Sequence, residues 1–222
     1  MQAPLGTVEI EPETSATGSV IWLHGLGADG HDFVPVIEEM RLPRALPLRF
    51  VLPHAPLRAV TLNAGQVMPA WYDLTALDEA AADDIDGLQQ AAGWIAALIA
   101  REAERGVRSE RVVIAGFSQG GALALYTALR YPRRLAGLIG LSTYLPAHQR
   151  LPDEASRVNR DMPVLMAHGR DDDLVRMEWG HRSCEILQQA GYSVQWQEYD
   201  MPHAVCPEEI VDIRRCLLAW LG

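Results

Sequence analysis

An α/β architecture with a mostly parallel central sheet and helices on both faces is predicted by three observations. Short apolar runs of strand length alternate with longer segments of helical spacing along most of the chain. Helical segments lie between the strand-like runs, and such crossover connections join parallel neighbours. The 222 residues, 49% hydrophobic and 22% charged, also contain no repeat, linker or low-complexity tract, so one domain spanning 1–222 is expected.

The strand runs are Val20 to Leu23, Leu48 to Leu52, Arg111 to Ala115, Leu135 to Leu141, Val164 to His168 and Ser193 to Tyr199. Helices are expected over Asp32 to Arg41, Asp84 to Arg105, Gln119 to Tyr131, Leu174 to Gln189 and Pro207 to Leu221. Pro132 stops the third helix and Gly191 follows the fourth. Pro207, Glu208 and Glu209 open the last at the positive end of its dipole. The stretch Pro53 to Ala82 reads as a long irregular segment of the kind that shapes a site.

Composition removes whole classes of chemistry. The 19 basic residues are all Arg, which excludes Schiff-base lysines, Ser/Lys dyads and a P-loop. A net charge of -10, spread over loops and helix faces, argues against nucleic acid as a partner. Cys184, Cys206 and Cys216 are widely spread, lack metal or redox spacing, and read as reduced thiols without an assigned role. Met1 to Val20 holds no Lys or Arg and no long apolar run, and no later segment reaches membrane-spanning length. A soluble, cytoplasmic protein without stable membrane insertion is therefore expected.

Gly116-Phe117-Ser118-Gln119-Gly120 matches G-x-S-x-G. The five letters alone are common, but Val112 to Ile114 ends directly before them and Ala122 to Leu129 follows with strong helix formers. That is the strand-turn-helix of a nucleophile elbow, the mark of an α/β-hydrolase fold, and it nominates Ser118. A Ser hydroxyl needs a base. In this fold the base follows the acid in the chain, which leaves His181, inside a helical pattern, and His203, in the loop after the last strand. His203 is the better placed.

The acid belongs in the loop after Val164 to His168, where Asp171, Asp172 and Asp173 are adjacent. An acidic triplet is ordinarily a solvated turn, and Asp173 is placed to cap the helix that follows. Spacing alone does not choose between Asp171 and Asp172. An oxyanion hole needs two preorganised N–H donors. Gln119, directly after the nucleophile, supplies one, and the Gly-flanked turn His24-Gly25-Leu26-Gly27 is suited to supply the other.

The chain resembles the bacterial carboxylesterases of the phospholipase/carboxylesterase family, relatives of the acyl-protein thioesterases. The residues that carry this are Leu23-His24-Gly25-Leu26-Gly27, Leu52-Pro53-His54-Ala55-Pro56, Met68-Pro69-Ala70-Trp71-Tyr72-Asp73, Gly116-Phe117-Ser118-Gln119-Gly120-Gly121, Leu141-Ser142-Thr143-Tyr144-Leu145-Pro146, and His168-Gly169 with the Asp triplet. In the family the acid is the third residue after the His-Gly pair, which selects Asp172. The resemblance also implies Leu26 and Gln119 as oxyanion donors, broad activity on small carboxylic esters, no cofactor, and the homodimers that are frequent in the family; no metal site is expected. The family usually has Gly before the catalytic His, whereas this chain has Pro202.

These readings converge on a serine carboxylesterase acting on small ester or acylated substrates, with Ser118, Asp172 and His203 as its triad. Only about twenty residues separate Leu141 from Val164, too few for a cap domain. The acyl chain would then be covered by the loop residues Leu62, Met68 and Trp71, giving a preference for short to medium chains. An acyl-protein thioesterase or a lysophospholipase would use the same machinery. A non-catalytic binding protein on this scaffold would be expected to lack a triad member, and a metallohydrolase would need the H-E-x-x-H that is absent here.

Overall fold

A computed structural model describes residues 5–76 and 83–222. Residues 77–82, the end of the long loop expected from sequence, lie outside the described residues. The elements in chain order are β1 (Thr7–Ile10), β2 (Gly18–Leu23), α1 (Val34–Glu39), β3 (Leu48–Pro53), β4 (Leu57–Val60), β5 (Gln66–Pro69), α2 (Ile85–Glu104), β6 (Val112–Phe117), α3 (Gln119–Arg130), β7 (Gly137–Leu141), α4 (Leu151–Glu154), β8 (Val164–Gly169), α5 (Met177–Gln189), β9 (Val194–Tyr199) and α6 (Pro207–Leu221).

The sheet has the order β1-β3-β2-β6-β7-β8-β9 and is parallel except for β1, which pairs antiparallel with β3. Alternate side chains of each strand enter different cores. Ile21, Leu23, Ile114 and Met166 pack with α2, α3 and α5, whereas Val20, Trp22, Val113 and Leu165 pack with α1 and α6. Burial on both faces is why these strands read as unbroken apolar runs. This is the α/β-hydrolase arrangement with helices on both sides of the sheet. Between β7 and β8 the chain forms only α4 and two short 3₁₀ turns, so no cap covers the sheet there.

The strand order reverses between β2 and β6. The connection from β2 leads outward to β3 on one side, while β6 continues to β7 on the other. Loops at the carboxyl ends of such a switch point diverge and leave a crevice. The pairings Leu23↔Gly116 and Phe117↔Leu141 bring the turn after β2, the elbow after β6 and the loop after β7 to one edge.

Two helices begin later than their sequence pattern predicts. Pro35 lacks an N–H and fits only in a first turn, so α1 starts at Val34 rather than at Asp32. The helix expected from Leu174 starts at Met177, because the Leu174 and Val175 N–H groups donate to Asp172 Oδ1 at 3.0 and 2.8 Å. Asp173 therefore does not cap α5. Its N-cap is Arg176, which makes no side-chain cap bond.

Candidate active site

Ser118 sits at φ 54°, ψ −122°, between the end of β6 and the first residue of α3. A non-Gly residue in this region is strained and persists only where its surroundings fix it. Here the Ser118 N–H donates to Leu141 O at 2.9 Å, and Thr143 Oγ1 donates to Ser118 O at 2.8 Å. The flanking glycines let backbones meet. A Cβ on Gly120 would lie 2.3 Å from Leu23 O, and one on Gly116 would lie 2.2 Å from Gly120 O. This is the physical content of G-x-S-x-G in the chain: the elbow is wedged against the end of β2.

Loops after adjacent strands carry the other two candidates. The Arg170 N–H donates to Tyr199 O at 2.8 Å and the Asp171 N–H to Met201 O at 3.2 Å, which ties the acidic triplet to the loop bearing His203. Within the triplet Asp171 and Asp173 are exposed, while Asp172 is buried. His203 Nδ1–H donates to Asp172 Oδ2 at 2.7 Å; the proton is on Nδ1 because a carboxylate can only accept. Burial alone would raise the Asp172 pKa, but the nearby His168 N–H and the hydrogen bonds from His203 and the Val175 N–H outweigh it and hold the carboxyl well below the usual range. This contact forms with Pro202 directly before His203, and the Pro202 carbonyl accepts the Ala204 N–H at 2.8 Å.

The His203 ring lies 4.6 Å, centroid to centroid, from Phe117, the neighbour of Ser118. The Ser118 hydroxyl itself makes no hydrogen bond to His203 among the described residues. Catalytic hydrogen bonds are often long before substrate arrives and shorten in the complex. His181 is exposed on α5, where it faces Glu185 at 3.4 Å and the edge of Trp196.

The turn at 24–27 is held from below. His24 is buried, and burial pushes its pKa down. The Ala55 N–H donates to its Nε2 at 3.0 Å, so Nδ1 carries the proton toward Gly25 O, 2.7 Å away. The Gly27 N–H donates to Pro69 O and the Ala28 N–H to Gly25 O, whereas the Leu26 N–H has no protein acceptor among the described residues. Gln119 opens α3, where a backbone N–H has no intrahelical partner. A Cβ on Gly25 would lie 3.4 Å from Ser118 Cβ, which measures how near the turn is to the elbow.

Of the residues expected to cover substrate, Met68 is half-buried with its Sδ close to Gly27, and Leu62 is half-buried in the loop between β4 and β5. Trp71 departs from expectation. It is fully buried, its Nε1 donates to His24 O at 2.8 Å, and its ring packs on His24. A large aromatic with a polar handle in a loop reads as pocket lining, but this one finds its hydrogen-bond partner beneath the turn instead. Trp71 supports the turn and presents no surface to a ligand.

The sequence pattern of the Phospholipase/Carboxylesterase family matches residues 6–221. The chain belongs to this family. It is accordingly a hydrolase of ester or thioester bonds, and the relatives agree. It is 36% identical to "Acyl-protein thioesterase 1" of Cryptococcus neoformans over 100% of both chains. It is also 36% identical to the protein of that name from Yarrowia lipolytica, over 98% of this chain and 96% of the relative. These relatives are fungal, so the likeness is not confined to bacterial family members. Among solved structures, Zea mays acyl-protein thioesterase 2 superposes with a TM-score of 0.88 at 32% identity, covering 98% of this chain and 99% of its own. Arabidopsis thaliana SOBER1 superposes at 0.87 with 29% identity, covering 92% and 99%. No helix among the described residues is long and apolar enough to cross a membrane.

Proposed function

We propose that this family member is an acyl thioesterase that removes S-linked acyl groups from proteins through an acyl-enzyme on Ser118. The observation that carries the reading is the buried Asp172 carboxylate 2.7 Å from His203 Nδ1, beside a strained Ser118, in a chain matched over its full length by acyl-protein thioesterases. Ser118 Oγ attacks the acyl carbon as His203 Nε2 takes its proton, and Asp172 holds the ring through Nδ1–H. The Leu26 and Gln119 N–H groups meet the oxyanion. His203 returns the proton to the departing thiol; water then repeats the attack, and the free acid leaves with Ser118 restored.

Those full-length relatives favour a thioester over the short-chain carboxylic ester expected from sequence, and the lack of a cap between β7 and β8 suits a leaving group as large as a protein thiol. The test compares kcat/KM for an S-palmitoylated peptide, an S-acetylated peptide, p-nitrophenyl butyrate and a lysophospholipid. The proposal expects the S-palmitoylated peptide to exceed the butyrate ester by at least tenfold. A higher value for butyrate would return the chain to the carboxylesterases, and a higher value for the lysophospholipid would make it a lysophospholipase.

A further inference from the structure

Asp172 is approached by two imidazoles, and the mechanism above uses one. His168, the penultimate residue of β8, is buried, with its Nε2 2.7 Å from Val175 O and 3.4 Å from Asp172 Oδ2, the oxygen that accepts from His203. Val175 O can only accept, so the proton resides on Nε2. That N–H lies between the carbonyl and the carboxylate, while Nδ1 has no partner among the described residues. Val175 in turn donates its N–H to Asp172 Oδ1 at 2.8 Å. His168, Val175 and Asp172 thus form a closed loop of contacts around one carboxylate.

The ring is seated by α5. A Cβ on Gly180 would lie 2.4 Å from His168 Nδ1 and 2.9 Å from Cε1, so the helix approaches the imidazole as closely as a glycine permits. The ring cannot retreat from Asp172 without pushing that helix outward.

We infer that His168 is a positioning residue for the hydrolytic reaction: it fixes the Asp172 carboxylate and the 172–175 turn so that Oδ2 is aimed at His203 Nδ1. The inference rests on the reading of Asp172 and His203 as orienting acid and base. A displaced carboxylate leaves substrate contacts intact but misaligns the base, and an error of about 1 Å in such groups costs on the order of 10²-fold. The loss should therefore fall on kcat and spare KM.

The experiment compares wild type with His168→Leu, His168→Gln and Gly180→Ala. Gln can offer an N–H near the position of Nε2, Leu cannot, and Gly180→Ala presses on the ring without removing a polar group. Kinetics use p-nitrophenyl butyrate and fluorophosphonate inactivation, neither of which depends on the natural substrate. Proton NMR follows the downfield resonance of the His203 Nδ1–H, which reports its bond to Asp172. His168→Leu should lose roughly tenfold to 10²-fold in kcat, with KM within threefold and the resonance shifted or broadened. His168→Gln should recover most of both, and Gly180→Ala should fall between.

A kcat for His168→Leu within threefold of wild type with the resonance in place would overturn the inference. So would equal damage in the Leu and Gln variants, which would mark His168 as core packing alone. A Ser118→Ala control that still hydrolyses the ester would instead sink the nucleophile assignment, and the resonance would continue to report on His168 separately.

Discussion

Three consecutive aspartates, at 171, 172 and 173, carry the same side chain into different surroundings, and that difference singles out one of them as the acid of the proposed triad. Asp172 is buried and accepts from two backbone N–H groups and His203, whereas its neighbours are exposed. An exposed carboxylate beside water orients nothing. Asp172→Asn should therefore lower kcat by roughly 10⁴ through loss of imidazole orientation, while Asp171→Asn and Asp173→Asn each change it little. Steady-state kinetics of the three variants decide the matter, and a crippled Asp171→Asn would show that the wrong carboxylate has been assigned. In sequence the triplet is legible only as a set. Selecting among its members takes the resemblance, because burial depends on tertiary contacts that an acidic run does not encode. The nearness of His168 to Asp172 is written in the spacing of four residues, but a histidine at a strand end looks like any other until its ring is placed.

At the scale of elements, the strained elbow and the turn after β2 are joined by one side chain. Gln119 Oε1 accepts the Trp71 N–H at 3.0 Å, and its Nε2 donates to Tyr72 O at 2.8 Å, so α3 holds the segment that supports His24. Gln119→Leu keeps the backbone N–H proposed for the oxyanion but leaves both partners buried without hydrogen bonds. Each such orphan costs about 1–3 kcal/mol. Urea denaturation should show that loss together with a reduced kcat, and an unchanged midpoint would mean water reaches the segment. Sequence periodicity locates β2, β6 and α3 because each is buried continuously or caught between strong end signals. It does not find β1, a four-residue edge strand that is only half-buried, or the β4–β5 hairpin, whose outer residues Leu57 and Val67 are exposed. Strands that bury little carry little pattern.

At the scale of the whole molecule, one buried carboxyl group among the described residues is left unsatisfied. Glu209, in the first turn of α6, is fully buried with no partner for either oxygen among the described residues, and burial, with Asp212 nearby, pushes its pKa up to about 8. An acid whose folded pKa is raised keeps its proton in the native state after the unfolded chain has lost it. The contribution of this group to stability is therefore intact below about pH 4.5 and declines as pH rises toward 8, by roughly 1.4 kcal/mol per pH unit across that interval. Glu209→Gln cannot ionise. The thermal midpoint of the Gln variant relative to wild type should rise steadily between pH 5 and pH 8, and a constant difference across that range would mean that Glu209 titrates normally. Nothing in the sequence announces this, since Glu208 and Glu209 read alike as a favourable charge on a helix dipole.

The central claim is that Ser118 is a nucleophile activated by His203 and Asp172, and covalent capture tests it most directly. Trypsin cuts this chain only after Arg, which isolates residues 112–130 as one peptide whose sole serine is Ser118. Incubation with a fluorophosphonate followed by mass spectrometry should place a phosphonyl group on Ser118, with fluoride released. The rate of labelling should fall on the order of 10³-fold or more in Asp172→Asn and to nothing in Ser118→Ala. Labelling of another residue, or of Ser118 at an undiminished rate in Asp172→Asn, would contradict the account.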